Sequence, residues 1–268
     1  MPILALKLVL TPILIGGASL AARRWGPAVA GALVGMPLTS GPVAFFVAVE
    51  QGIPFATEVG LAVLAGGLAL CAFAIAYARL AAAALGPFGT LAAASVAYVA
   101  VSAALGTVQL PPLPLLVPVV AIALVLTLCL LPPTTAVHRR VTPARWDLPA
   151  RILVGTSLIV ILTTVAPILG PRASGLISTY PVYLSTLTFF AHHQGGGASV
   201  AAMQRGLVFG LFGWLAFWTA LLTLLPVAGV GAGFGGAIVA AFVIQGLSLR
   251  VLGSTSEAVI RDAGEVVP

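Results

Sequence analysis

The sequence predicts an all-α polytopic membrane protein of about nine transmembrane helices, arranged as two inverted-topology repeats of five plus four helices. Three observations favour this fold class. The 268 residues are 60% hydrophobic and 7% charged, the apolar residues form long uninterrupted runs, and Gly and Pro recur in register in the two halves. Because soluble domains average about a quarter charged residues, the composition excludes an ordinary soluble enzyme. It also excludes a disordered chain.

A helix needs about 20 apolar residues to cross a hydrocarbon core of about 30 Å. Nine segments meet this requirement, and the second and seventh contain internal Gly and Pro residues that interrupt a helix. The predicted spans are 3–22, 26–50, 57–80, 88–107, 112–131, 150–169, 171–194, 202–225 and 229–251. The first span is expected to be retained rather than cleaved as a signal peptide, since Lys7 lies within it.

The basic residues predict the orientation. Twelve basic against six acidic residues give a net charge of +6, but they are scattered between apolar runs, so no nucleic-acid partner is expected. With nine alternating spans, nearly all basic residues fall on one side of the membrane, whereas Lys7 and Arg172 fall on the other side or within the membrane. The residues on the first side are Arg23, Arg24, Arg79, His138, Arg139, Arg140, Arg145, Arg151, Arg205, Arg250 and Arg261. Positive charge marks the cytoplasmic side.

This orientation defines the domain organisation. The first repeat is expected at 1–131, a cytoplasmic loop at 132–149, the second repeat at 150–252 and a cytoplasmic tail at 253–268, with the N-terminus outside. The Arg-rich, Ala- and Gly-rich composition fits a high-GC bacterial genome, and thus a multi-pass protein of the bacterial cytoplasmic membrane.

An internal repeat is visible when residues 26–52 are written above residues 170–196. Seven of 27 positions are identical, and all are Gly, Pro or paired Phe. The matched pairs are Gly26/Gly170, Pro27/Pro171, Gly31/Gly175, Pro37/Pro181, Phe45/Phe189, Phe46/Phe190 and Gly52/Gly196, followed after a two-residue insertion by Gly60/Gly206 and Gly67/Gly213. Because five spans separate equivalent helices, the second copy is predicted to be inverted relative to the first.

The stretches 35–42 and 179–186 interrupt the second and seventh spans. Unpaired backbone groups at membrane depth are tolerated only where protein buries them or where they line a wet cavity. Two facing breaks with half-helix N-termini predict a site for a polar or anionic solute, whereas the alternative is a pair of packed Pro kinks whose Ser and Thr residues satisfy freed carbonyls. The expected solute-binding residues are Pro37, Thr39, Ser40, Gly41, Tyr180, Pro181, Tyr183, Ser185 and Thr186.

Polar residues near the span ends are candidates for coupling or gating, since ionisable groups in membrane segments mark pathways. They are expected at two mouths of one pathway: Glu50 and Glu58 outside, and His192, His193, Gln194 and Arg205 inside. The alternatives are solvated loop ends for the glutamates and a positive-inside anchor for Arg205. Because adjacent histidines cannot chelate one metal from the same helical face, no metal site is expected. No cofactor motif and no catalytic set are found.

These observations predict a small secondary transporter that moves a small polar or anionic organic solute by alternating access, with proton coupling through Glu50 or Glu58 as an addition. One alternative is an intramembrane enzyme acting on a lipid or isoprenoid, although the acids and histidines are expected on opposite faces. Another is a non-transporting subunit or scaffold, whose breaks would be dry. The expected partners are the lipid bilayer and the solute, and a homodimer is compatible with so short a chain.

Overall fold

A computed structural model describes residues 2–37, 40–134, 148–150, 152–153, 156–157 and 179–265. All regular structure in these ranges is helical and no strand occurs in them, so the all-α fold class is confirmed there. The helices are α1 (Pro2–Trp25), α2 (Pro27–Gly35), α3 (Ser40–Gln51), α4 (Ile53–Ala82), α5 (Pro87–Thr107), α6 (Leu113–Leu130) and α7 (Val182–Glu265). Most of the sixth predicted span, the first third of the seventh and most of the predicted cytoplasmic loop lie outside the described residues.

Helix α7 is not continuous. Gly196 (φ 63°, ψ −161°) and Gly229 (φ 74°, ψ −178°) leave helical geometry within it. We therefore divide it into α7a (182–195), α7b (197–228) and α7c (230–265).

The same backbone conformation recurs at the junctions of the first half. Gly26, between α1 and α2, has a φ of 92°, and Gly52, between α3 and α4, has a φ of 86°. A positive φ is open to glycine but sterically costly for other L residues. Glycine thus joins successive helices in both halves of the chain.

Four helices in the described part are long and apolar enough to cross a membrane: Ile53–Ala82, Pro87–Thr107, Leu113–Leu130 and Val182–Arg250, the last including both interior glycines. The outward faces of α5 and α6 are also apolar, with Val96 68% exposed and Ile122 58% exposed. Exposed apolar faces of this extent are unfavourable in water and suit a lipid environment. These helices indicate a membrane-embedded protein.

Helices α4 and α7b form the antiparallel centre of the fold. Near the start of α4, a Cβ on Gly60 would approach Leu222 and Trp218 of α7b. Two turns later along α4, Gly67 lies against the Trp214 ring. The residue numbers therefore run in opposite directions along the two helices. The buried aromatic and aliphatic side chains of this pair form most of the hydrophobic core.

Helix α2 packs on α7b through glycines spaced four residues apart, Gly31 and Gly35 on one helix and Gly206 and Gly210 on the other. A Cβ on Gly35 would lie 2.6 Å from the carbonyl oxygen of Leu207, so the two backbones are in direct contact. Small residues at this spacing permit close approach of membrane helices.

The chain from residue 179 onward runs parallel to α4. Thr179 occupies the space above Gly66, where a Cβ would lie 2.8 Å from the Thr179 hydroxyl oxygen. Further along, Gly197 lies against the carbonyl oxygen of Ala81. The residues around the second predicted break are consequently held against the middle of α4, and the end of α7a lies beside the end of α4.

Candidate functional site

The first predicted break, 35–42, covers the end of α2 and the start of α3. Helix α2 ends at Gly35, and Met36 is extended (φ −72°, ψ 156°). Helix α3 begins at Ser40, and the Gly41 amide donates a hydrogen bond to the Pro37 carbonyl at 3.0 Å. Pro37 and Ser40 are half-buried, and Gly41 is buried beside α7b. Thr39 lies outside the described residues.

The second predicted break leads into α7a. Ser185 and Thr186 are buried, and both hydroxyls donate to the Val182 carbonyl at 2.9 Å. The Ser185 amide donates to the Pro181 carbonyl at 2.7 Å, and Tyr183 is half-buried. Both hydroxyl protons are used within the first turn of α7a, as the packed-kink alternative expects. The oxygen lone pairs remain as acceptors.

Tyrosines from three elements meet around the residues that precede α7a. The Tyr180 and Ser95 hydroxyls form a hydrogen bond of 2.7 Å, and the Tyr98 and Thr179 hydroxyls form another. The Tyr98 and Tyr180 rings pack edge to face with centroids 5.3 Å apart. The Phe73 ring contacts both Tyr180 and Tyr77, and Tyr77 contacts His192. We call the polar residues of this connected group the tyrosine cluster: Tyr77, Ser95, Tyr98, Thr179, Tyr180 and His192.

Two members of the tyrosine cluster have unused hydrogen-bonding atoms. Tyr77 is fully buried and His192 is 8% exposed, and their ring centroids are 5.9 Å apart. Neither the Tyr77 hydroxyl nor His192 Nδ1 has a hydrogen-bond partner in the described part of the chain. An unsatisfied buried polar group costs about 1–3 kcal/mol. Ten buried side-chain polar atoms in the described part of the chain have no partner, and these two belong to rings that contact each other. This pair is therefore equipped to bind a polar molecule, whether water or a solute.

The tyrosine cluster extends along one face of α4. Thr179 contacts Gly66, the Tyr180 ring packs edge to face on Phe73 at 6.3 Å, and His192 contacts Tyr77. Gly66, Phe73 and Tyr77 are seven and four residues apart, so they lie on the same face of α4. At 1.5 Å per residue they cover about 16 Å of the helix. A line of polar groups thus runs from the middle of α4 towards its arginine-bearing end.

Glu58, His193 and Gln194 are predicted gating residues that the definition of the tyrosine cluster does not include. Glu58 is exposed near the start of α4, about 28 Å from Tyr77 along the helix. His193 is exposed and Gln194 is half-buried. The side chain of Glu50 lies outside the described residues. Of the six predicted gating residues, the structure places His192 in the cluster.

Arg205 binds the C-terminal end of α6. Its Nη2 donates to the carbonyls of Leu131 and Pro132 at 3.2 and 3.1 Å, and Arg79 Nε donates to the Leu130 carbonyl at 2.7 Å. The last carbonyls of a helix lack partners within it and carry partial negative charge. Two arginines thus cap one helix end, a structural role close to the anchor that the sequence offers as the alternative for Arg205.

Tyr77, Ser95 and Tyr98 were not among the residues expected from the sequence. A sequence signal was available, because the chain has four tyrosines and two of them, Tyr77 and Tyr98, lie inside long apolar runs. A tyrosine inside an apolar membrane segment needs a partner for its hydroxyl. No group of three His, Cys, Asp or Glu side chains suited to a metal occurs in the described ranges.

Comparisons with protein families, with curated proteins and with solved structures find no match for this chain.

Proposed function

We propose that this protein is a small secondary transporter that moves a small polar or anionic organic solute across the bacterial cytoplasmic membrane by alternating access. The observation that carries the proposal is the tyrosine cluster, where the Tyr77 hydroxyl and His192 Nδ1 lie buried and have no partner among the described residues. Polar groups inside membrane segments are costly and usually belong to substrate or ion pathways.

Two equivalent contacts support the inverted repeat on which alternating access depends. Gly35 packs on Gly210, and Thr179 packs on Gly66. Thr179 aligns with Gly35 in the repeat, and Gly66 lies within two positions of the residue that aligns with Gly210. Each interrupted segment thus contacts the long helix of the other half at a corresponding place. Reciprocal contacts of this kind are expected when a two-fold axis relates two copies.

The central helix pair supports the same symmetry. Gly67 lies against Trp214, which directly follows Gly213, the residue that aligns with Gly67. An antiparallel crossing close to equivalent residues is the arrangement that a two-fold axis in the membrane plane would generate. Gly52 and Gly196, also equivalent, share a positive φ. The nine helices and two inverted repeats of the proposal are consistent with these relationships.

The scaffold is the main rival, because Ser185 and Thr186 already donate within their own helix. The two hypotheses differ in whether water reaches the predicted breaks: the transporter requires it, and the scaffold does not. Since Ser185 is 1% exposed here, a cysteine at this position reacts with a membrane-impermeant reagent only if the protein adopts a second conformation. Ser40 is half-buried and provides the corresponding probe in the first half.

The test uses a variant lacking Cys71 and Cys129, with single substitutions Ser40→Cys or Ser185→Cys. The reagent is applied to right-side-out and to inside-out vesicles. Val99→Cys, at a 60% exposed apolar position on α5, is the lipid-facing control and should react from neither side. Labelling of both probes from both sides supports alternating access. If neither probe reacts from either side, the breaks are dry and the scaffold hypothesis replaces the transporter.

A further inference from the structure

We infer that Tyr77 and His192 bind the solute directly and that the solute is a small monocarboxylate with an apolar body. This inference rests on the proposed function and names its substrate class. The Tyr77 hydroxyl and His192 Nδ1, which have no described partner, lie on adjacent rings in edge-to-face contact. A phenol and an imidazole N–H can both donate hydrogen bonds, so together they match the two oxygens of one carboxylate.

The charges near the pair favour a monoanion. Of the six acidic residues, Glu58 is the one whose side chain the structure describes, and it lies about 28 Å away along α4. Arg79 follows Tyr77 by two residues, a spacing that puts the two side chains on different faces of α4, and its Nε donates to the Leu130 carbonyl at the end of α6. A hydroxyl and a neutral imidazole can solvate a single negative charge, but they supply no cation to balance a dianion such as phosphate or sulfate.

The ring geometry disfavours a cationic solute. A cation would bind over an open aromatic face. In the cluster, Tyr180 packs nearly perpendicular to Tyr98 and to Phe73, at 89° and 82°, so that ring faces are covered by neighbouring ring edges. The same rings make the surroundings of the two donors apolar, which suits a carboxylate that is attached to an apolar body.

The experiment is equilibrium binding to the purified full-length protein in lipid nanodiscs, measured by calorimetry. The probes are propionate and benzoate, compared with neutral benzamide, with benzylamine and with inorganic phosphate and sulfate. We expect binding of a carboxylate and none of the others. Tyr77→Phe and His192→Phe should each weaken it about tenfold or more, the effect of losing a hydrogen bond to a charged group. His192→Asn, which retains a donor near the Nδ1 position, should lose less.

Ser19→Ala is the matched control, because it also removes a buried hydroxyl without a described partner but lies in α1. It should leave carboxylate binding unchanged. Since the Tyr77 hydroxyl has no described protein partner, Tyr77→Phe should melt no lower than the parent protein, which separates lost binding from misfolding.

The outcomes separate this inference from the proposed function. If Ser40→Cys and Ser185→Cys react from both sides but no carboxylate binds, or binding ignores Tyr77 and His192, the inference is wrong and the transporter stands. If a carboxylate binds in a Tyr77-dependent manner but neither cysteine reacts, the site stands and transport is wrong. Binding of phosphate or benzylamine at Tyr77 would overturn the monocarboxylate assignment.

Discussion

Gly35 of α2 and Gly210 of α7b lie backbone to backbone, such that a Cβ on Gly35 would come within 2.8 Å of the Gly210 Cα. No side chain fits between the two helices at this point. Because α2 leads directly into the Pro37 stretch, the contact also positions the first predicted break against α7b. Close packing of α2 on α7b and the placement of the Pro37 stretch therefore depend on the same pair of glycines.

We expect Gly210→Ala to lower the free energy of unfolding by about 2 kcal/mol or more, since the added methyl group would meet backbone atoms that cannot rotate away. Thermal unfolding in detergent measures the effect. Gly246→Ala on α7c is the control, because a Cβ at this position would meet no atom within 4 Å, and alanine favours the helix there. Equal melting temperatures for the two variants would contradict the close contact.

Gly52→Ala and Gly196→Ala should each destabilise the protein by about 1–2 kcal/mol, because alanine is strained at their positive φ. At Gly196 the cost is purely conformational, since a Cβ would meet no atom within 4 Å. The measurement is again the melting temperature, with Gly235→Ala as the control at an uncrowded helical position. If Gly196→Ala were neutral, the helix junction would not require a positive φ.

Much of the fold could be predicted because it follows from local sequence. Apolar runs predicted α4 and α6 to within a few residues, with 57–80 and 112–131 expected and Ile53–Ala82 and Leu113–Leu130 found. The pairing of Gly52 with Gly196 rests on spacing alone, and both residues have a positive φ. Structural features that depend on the sequence of a single segment can therefore be predicted from that sequence.

The candidate site was harder to predict from the sequence, because its residues come from helices that are distant in the sequence. Tyr98 and Thr179 are 81 residues apart and meet through packing that no local pattern specifies. The four-residue glycine spacing on α2 and α7b is visible in the sequence, and it signals a close helix contact. The spacing alone does not identify the partner helix.

The hydrogen bond between the Tyr98 and Thr179 hydroxyls should stabilise the segment before α7a. We expect Tyr98→Phe and Thr179→Val each to cost about 1 kcal/mol, and the double variant to cost less than the two added together, because both remove the same bond. A double-mutant cycle on unfolding measures the coupling. The control is the pair Tyr98→Phe and Thr223→Val, because the Thr223 hydroxyl donates to the Thr219 carbonyl instead. The effects of these two substitutions on the free energy of unfolding should be additive. A coupling energy of similar size in the control pair would contradict a specific bond between Tyr98 and Thr179.

Arg205 provides a test between the gating role that the sequence predicts and the capping role that its contacts support. Its Nη2 serves the Leu131 and Pro132 carbonyls, so Arg205→Ala should lower the free energy of unfolding by about 1–3 kcal/mol. Arg205→Lys should recover part of this loss, since an ammonium supplies charge but not the planar guanidinium geometry.

The control for Arg205 is Arg250→Ala, at an exposed position of α7c, which should melt like the parent protein. If Arg205→Ala lowers the melting temperature while labelling of Ser40→Cys and Ser185→Cys is unchanged, the residue is a cap. Unchanged melting with labelling lost from one side would instead assign Arg205 to the gate. The distinction follows from physical chemistry, because a cap stabilises every conformation that retains the α6 end, whereas a gate residue stabilises one conformation over the other.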